Sequence, residues 1–298
     1  MEPTMRHQAA ITATDLFRRD PRVAIVLSEI STDYFRKAFA HDPGRAVNVG
    51  IMEQTMVGVA AGFAMEGFLP VVHTIGPFLA ERPLEQVKLD FGYQGLQGTF
   101  IPVGGSHDYT SEGFTHHTPG DVAAMRTIPG MQVLVPGTAA ELARIFEATY
   151  ANGHPTYVRT SIQANLRSFD VEVGRLEVVR RGTGGTVVAV GPMLDRTIEA
   201  VEGLDLTVLY ATSVVPFDGE GLAREAADAD AVIAVEPVHA GTLAPALTEA
   251  LAHRPARFCS VGVPHRIERD YGTPEDLDRA FGLDAAGIRD RIVRFLDR

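Results

Sequence analysis

The sequence predicts an α/β protein of two domains, each a mostly parallel sheet flanked by helices, and three observations carry that prediction. Short runs rich in Val, Ile and Leu alternate with longer stretches of helical character. The alternation breaks in a mixed, charged stretch, residues 163–183, and then restarts. No run of about 18 apolar residues occurs, so no membrane-spanning helix organises the chain.

The elements follow in order. "RVAIVLSE" (22–29) is a short apolar strand, and 32–40 is helical. "RAVNV" (45–49) is a strand, and 53–66 a helix that Gly67 stops. "LPVVHT" is a strand, 79–91 a helix and "GTFIPVGG" (98–105) a strand, before a Gly- and His-rich loop over 104–120. "MQVLVPG" (131–137) is a strand, "TAAELARIFEATYA" (138–151) a helix and "PTYVRTS" a strand. After the break, "GTVVAVG" (185–191), "LTVLYATSVVPFD", "AVIAVEP" and "RFCSVGV" are strands, with a helix over 241–252. Thr273-Pro274-Glu275 and Asp284 start two C-terminal helices. The apolar runs lack polar alternation, as parallel strands covered on both faces do.

Composition narrows the function. The 298 residues suffice for one large or two ordinary domains with a substantial core. A net charge of −11 argues against a nucleic-acid or anionic-membrane surface. Cys259, the single cysteine, excludes an intrachain disulfide and Cys–Cys metal motifs. It is expected as an inert thiol in a buried strand. The N-terminal residues lack a signal peptide's apolar stretch, and a cytoplasmic protein is expected.

In open α/β sheets, ligands sit beyond the carboxyl ends of strands. Two post-strand segments carry candidate chemistry: "NVGIMEQ" and "GGSHDYTSEGFTHHTPGD". Glu53 opens an otherwise small and apolar helix. A first-turn carboxylate is ordinary helix-dipole chemistry, worth about 0.3–1 kcal/mol. The surroundings favour more: Gly50, Ile51 and Met52 precede it and small residues follow. An acid walled by apolar groups is expected to keep its proton near neutrality and to pass it to a ring nitrogen. His107, His116 and Glu112 fit no standard ligand spacing, so no metal site is expected there. Phe78 follows Pro77 and Arg82 lies in "ERPLEQ"; by residue type alone these are a core aromatic and a packing arginine. No GxGxxG, Walker-type loop or nucleophile elbow occurs.

Four stretches together resemble the transketolase family of thiamine diphosphate enzymes. "NVGIMEQTMVGVAAGFAMEG" is similar to the family's N-x-G-I-x-E-Q-N-M-V-G-x-A-x-G pattern, and "FLAERPLEQV" to its aromatic-rich helix start. "SEGFTHHTPGDVAAMRTIPGMQVLVPG" resembles its T-H-containing loop, and "SVGVPHRI" with "YGTPEDLDRAFGLDAAGIRDRI" its C-terminal tail. The resemblance implies a pyrimidine-binding domain over 1–165, a linker over 166–183 and a transketolase C-terminal domain over 184–298. It implies that Glu53 hydrogen-bonds the cofactor's aminopyrimidine and promotes the amino–imino exchange that activates the thiazolium. Phe78 would stack on the pyrimidine, Ile51 line its pocket, and Glu29 and Arg82 lie at the cofactor. His116 would contact substrate, joined by His107 and Glu112.

The family's Gly-Asp-Gly motif, which holds the diphosphate through Mg²⁺, does not occur here. The resemblance therefore implies a partner subunit that supplies it, in an α₂β₂ assembly, as in split transketolases. The arginine that clamps a substrate phosphate in the family is replaced by Ile162 in "YVRTSIQ". Its loss removes a charge-assisted contact of about 1.5–3 kcal/mol, so an unusual ketose or aldehyde, lacking a terminal phosphate, is expected. Two alternatives remain at this point. One is the β subunit of a 2-oxo acid dehydrogenase or acyloin-forming enzyme, and the other a non-catalytic scaffold.

Overall fold

The computed structural model describes residues 3–227 and 229–297. The N-terminal half supplies β1 (Val23–Leu27), β2 (Ala46–Asn48), β3 (Leu69–Ile75), β4 (Gly98–Val103), β5 (Gln132–Leu134) and β6 (Pro155–Val158). The C-terminal half supplies β7 (Leu176–Arg180), β8 (Thr186–Val190), β9 (Thr207–Ala211), β10 (Ser213–Val215), β11 (Ala231–His239) and β12 (Arg257–Val263). The first sheet has the order β10-β5-β6-β4-β3-β1-β2, and the second β12-β11-β8-β9-β7. Within the first, β1–β6 pair in parallel and β10 runs antiparallel to β5. In the second, β12, β11, β8 and β9 pair in parallel and β7 runs antiparallel to β9. The α/β expectation of two mostly parallel sheets holds.

The helices are α1 (Met5–Arg19), α2 (Arg36–His41), α3 (Glu53–Met65), α4 (Gly76–Ala80), α5 (Leu84–Gln86), α6 (Asp121–Met125) and α7 (Ala139–Thr149). The second half carries α8 (Leu194–Ala200), α9 (Gly219–Glu225), α10 (Ala244–Ala250), α11 (Pro274–Phe281) and α12 (Ala285–Leu296). β1, β4, β8 and β9 are buried along their full length, as strands covered on both faces must be. The starts at Thr273 and Asp284 are as expected: Thr273 and Asp276 form a capping box, and Asp284 accepts from Gly287 N at 3.0 Å.

Four details differ from the sequence reading. The N-terminal residues form a helix, α1, whose Ala9, Ala10, Ala13, Leu16 and Phe17 are buried. The expected helix over 79–91 is broken: α4 ends at Ala80, α5 begins at Leu84, and a π-helix runs over Val87–Tyr93. Pro83, which lacks an N–H, stands in the gap. The segment taken as a linker contains β7, and β10 crosses to pair with β5 of the other sheet. Cys259 is only partly buried, because β12 is an edge strand.

A shared register brings the candidate residues together. Leu27 is level with His73 on one side and with Asn48 on the other, and His73 is level with Ile101. Ser28, Glu29, Asn48, Gly50 and Glu53 therefore emerge from one carboxyl edge, where α/β sheets hold their ligands. Among the described residues, no helix is long and apolar enough to cross a membrane.

Candidate active site

The turn before α3 is built to present Glu53. Gly50 sits at φ 74°, a left-handed conformation that favours glycine. Ser28 Oγ donates to Gly50 O at 2.7 Å and accepts from Met52 N at 3.2 Å. Asn48 Oδ1 accepts from Gly50 N and Glu29 N, and its amide donates to Glu29 Oε2 at 3.2 Å. Glu29 is thus a turn-holding residue at this edge. Glu53 is the first residue of α3 and is 2% exposed.

The neighbour of Glu53 corrects the expected apolar wall. Arg82 Nη1 donates to Glu53 Oε2 at 2.7 Å. The break at Pro83 leaves Arg82 between α4 and α5, free to reach α3 rather than point along a helix face. Glu53 Oε1 takes no hydrogen bond among the described residues. Ile51, expected to line a pocket, is 70% exposed, and Met52 is 54% exposed.

From Glu53 a continuous line of side chains leads to a cleft. The Arg82 guanidinium lies 4.1 Å above the Phe78 ring. Phe78 meets His116 edge-on at 5.2 Å, and His116 meets Tyr109 at 6.5 Å. The cleft, about 220 Å³, is lined by Arg6, Ile30, Ile75, Tyr109, Glu112 and His116. Burial raises the Tyr109 phenol above its usual range. The loop holding His116 packs closely over α4. A Cβ on Gly76 would come within 2.5 Å of Gly104 O and of Thr118 Cγ2.

His107 does not face this cleft. It is 5% exposed, its Nε2 lies 2.8 Å from Asp278 Oδ1, and its ring packs on Phe281. Gln163 and Arg196 also donate to Asp278, at 2.8 and 2.7 Å. Burial raises the Asp278 carboxyl, but the hydrogen bonds from His107 and Arg196 outweigh it and hold the group below the usual carboxylate range. His107 thereby ties the histidine loop to the C-terminal domain. Glu112 and His116 share the cleft without it, and no described group of three or more His, Cys, Asp or Glu is placed to hold a metal ion. Ile162 is half-exposed, and its N–H donates to Asp108 Oδ2 at 2.9 Å.

Sequence reading missed Arg6, Ser31 and Tyr109. A signal for the first was present: Thr4, followed by apolar residues at helical spacing, marks α1 and places Arg6 in its first turn.

Comparison with known proteins matches residues 2–166 to the transketolase pyrimidine-binding domain and 174–288 to the transketolase C-terminal domain. The chain belongs to the transketolase family. A 33.6 kDa protein of uncharacterised role in the fasciation locus of Rhodococcoides fascians is 41% identical, covering 96% of this chain and 92% of that protein. The 6-deoxy-6-sulfo-D-fructose transketolase subunit SqwH of Clostridium sp. (strain MSTE9) is 32% identical over 91% of this chain and 88% of its own. A solved split-gene transketolase, described as an inactive β4 tetramer, matches with a TM-score of 0.84 at 28% identity. The match covers 100% of this chain and 99% of that one.

Transketolases depend on thiamine diphosphate, and the chemistry at α3 fits its aminopyrimidine. Glu53 offers a nearly buried carboxyl oxygen that takes no hydrogen bond among the described residues, and Phe78 offers a ring at the same edge. Glu53 would hold the ring nitrogen, with Phe78 and Ile51 against the ring.

Proposed function

We propose that this chain is the pyrimidine-domain subunit of a split, thiamine diphosphate-dependent transketolase-like enzyme, transferring a two-carbon ketol unit from a ketose to an aldehyde. The observation that carries this reading is the buried Glu53 carboxylate, one oxygen unengaged, at the head of an unbroken line of side chains to the cleft. The cofactor, when bound, supplies the electron sink for carbon–carbon bond cleavage. Glu53 holds and moves the proton at the ring nitrogen, and the partner subunit holds the diphosphate and its Mg²⁺. His116 faces the reacting end of the substrate and donates to its oxygens. Glu112 suits a sugar hydroxyl.

The position of the family's phosphate-clamping arginine is taken by Ile162, and Arg6 is the cation among the residues that line the cleft. It suits a substrate with an anionic end. The sulfonated sugar in the name of the Clostridium relative supports that reading. A partner surface is supported by the outer face of α3, where Gly58 and Gly62 have nothing near them, and by exposed Ile51, Met52, Leu89 and Tyr93.

The test is product analysis on the chain co-purified with its diphosphate-domain partner and supplied with ketose donors and aldehyde acceptors. Transfer of a two-carbon unit without release of CO₂ is expected. Decarboxylation of a 2-oxo acid as the main reaction would place the protein with the oxo acid enzymes instead.

A further inference from the structure

His73 is a buried ionisable residue in β3, after the apolar stretch Leu69–Val72 and before buried Thr74. It is 1% exposed, with Phe35 against its ring. Its Nδ1 lies 2.7 Å from Ile101 O. A carbonyl only accepts, so Nδ1 carries the proton. Burial lowers the imidazole to about 4, so the ring is neutral at physiological pH and Nε2 is an acceptor. Ser31 Oγ lies 2.8 Å from Nε2, so its hydroxyl donates there. Only lone pairs remain on that oxygen, and Arg6 Nε donates to it at 3.0 Å. Each role is forced by the one before it, from a backbone carbonyl in the core to a guanidinium at the cleft.

The other groups around this chain leave Arg6 available. Tyr34 lies 5.5 Å from its guanidinium carbon, and no hydrogen bond among the described residues uses its two terminal nitrogens. Ser31 is held at φ 64° and Glu29 at φ 62°, conformations that residues with a Cβ avoid. The turn is pinned by Glu29 N donating to Asn48 Oδ1 and Thr32 Oγ1 donating to Glu29 O. A strained turn that aims one hydroxyl between a histidine and an arginine points to positioning.

We propose that His73 and Ser31 are positioning residues that fix Arg6 by its Nε and aim its terminal nitrogens into the cleft, selecting substrates with an anionic end group over neutral ones. This rests on the reading of the cleft as the substrate site. The proposal is tested by NMR on the full chain labelled with ¹⁵N in histidine and arginine. His73 is expected to be neutral with its proton on Nδ1. The Arg6 Nε–H is expected to exchange with water about tenfold more slowly than that of exposed Arg36. Ser31→Ala and His73→Phe should abolish that protection, and His73→Gln, which keeps a donor and an acceptor, should restore part of it. Inorganic phosphate should shift the Arg6 signals, with the apparent Kd rising about three- to tenfold in Ser31→Ala. A proton on His73 Nε2, or unchanged Arg6 exchange in Ser31→Ala, overturns the relay. Phosphate binding that is absent, or unchanged in Arg6→Gln, overturns the selective role instead, with tautomer and exchange still reporting on the relay.

Discussion

Glu53 shows how one side chain can be read correctly in place and wrongly in surroundings. The motif sets it at the mouth of α3, and burial agrees, yet its contact is the Arg82 guanidinium rather than an apolar wall. The difference arises because Pro83 breaks the neighbouring helix and frees Arg82 to turn inward. The oxygen left over is the one the proposed chemistry uses. Glu53→Gln keeps shape and removes proton exchange. In the assembled enzyme it is expected to lower kcat at least about a hundredfold with little change in thermal stability, the size typical of lost acid–base catalysis. Parallel assays of turnover and melting decide it; near-wild-type turnover would remove Glu53 from the chemistry.

β3 links the core to the site, and its histidine makes an acid-sensitive element. His73 titrates near 4 in the fold, against an ordinary value of 6.5. Its contribution to stability is therefore intact above pH about 6.5 and is lost as pH falls toward 4, because the unfolded chain takes up the proton first. The full loss is on the order of 3 kcal/mol. His117, lowered to about 4 by burial, adds to the same limb. Urea midpoints between pH 7 and 4 should fall steeply in the wild type and less so in His73→Gln; equal slopes would contradict the shift. At this scale the sequence was legible wherever local chemistry decides the outcome. The strands, the Gly67 stop and the Thr273 and Asp284 caps are short-range features, and the family-like motifs mark Glu53, Phe78 and His116. What escaped depends on contacts distant in sequence. Arg6 meets Ser31 across 25 residues, Ser31 meets His73 across 42, and His107 meets Asp278 across 171. No period or spacing encodes those pairs.

The two halves are joined by more than a connecting segment. β10 completes the first sheet from within the second half, and Asp278 of α11 gathers His107, Gln163 and Arg196. Removing the carboxylate leaves one buried donor, His107, and two partly buried ones, Gln163 and Arg196, unpaired, so Asp278→Ala is expected to cost about 3 kcal/mol. It should also loosen the loop that carries His116, read as faster amide exchange over residues 104–120; a stability loss under about 1 kcal/mol would show the hub to be incidental. Isothermal titration of thiamine diphosphate with Mg²⁺ tests the whole scheme most directly, run on the isolated chain, on its complex with the diphosphate-domain partner, and on the complex carrying Glu53→Ala. The predicted result is no tight binding to the chain alone, tight binding to the complex, and binding weakened at least about tenfold by the substitution. Tight binding to the isolated chain, or a complex indifferent to Glu53→Ala, would contradict it.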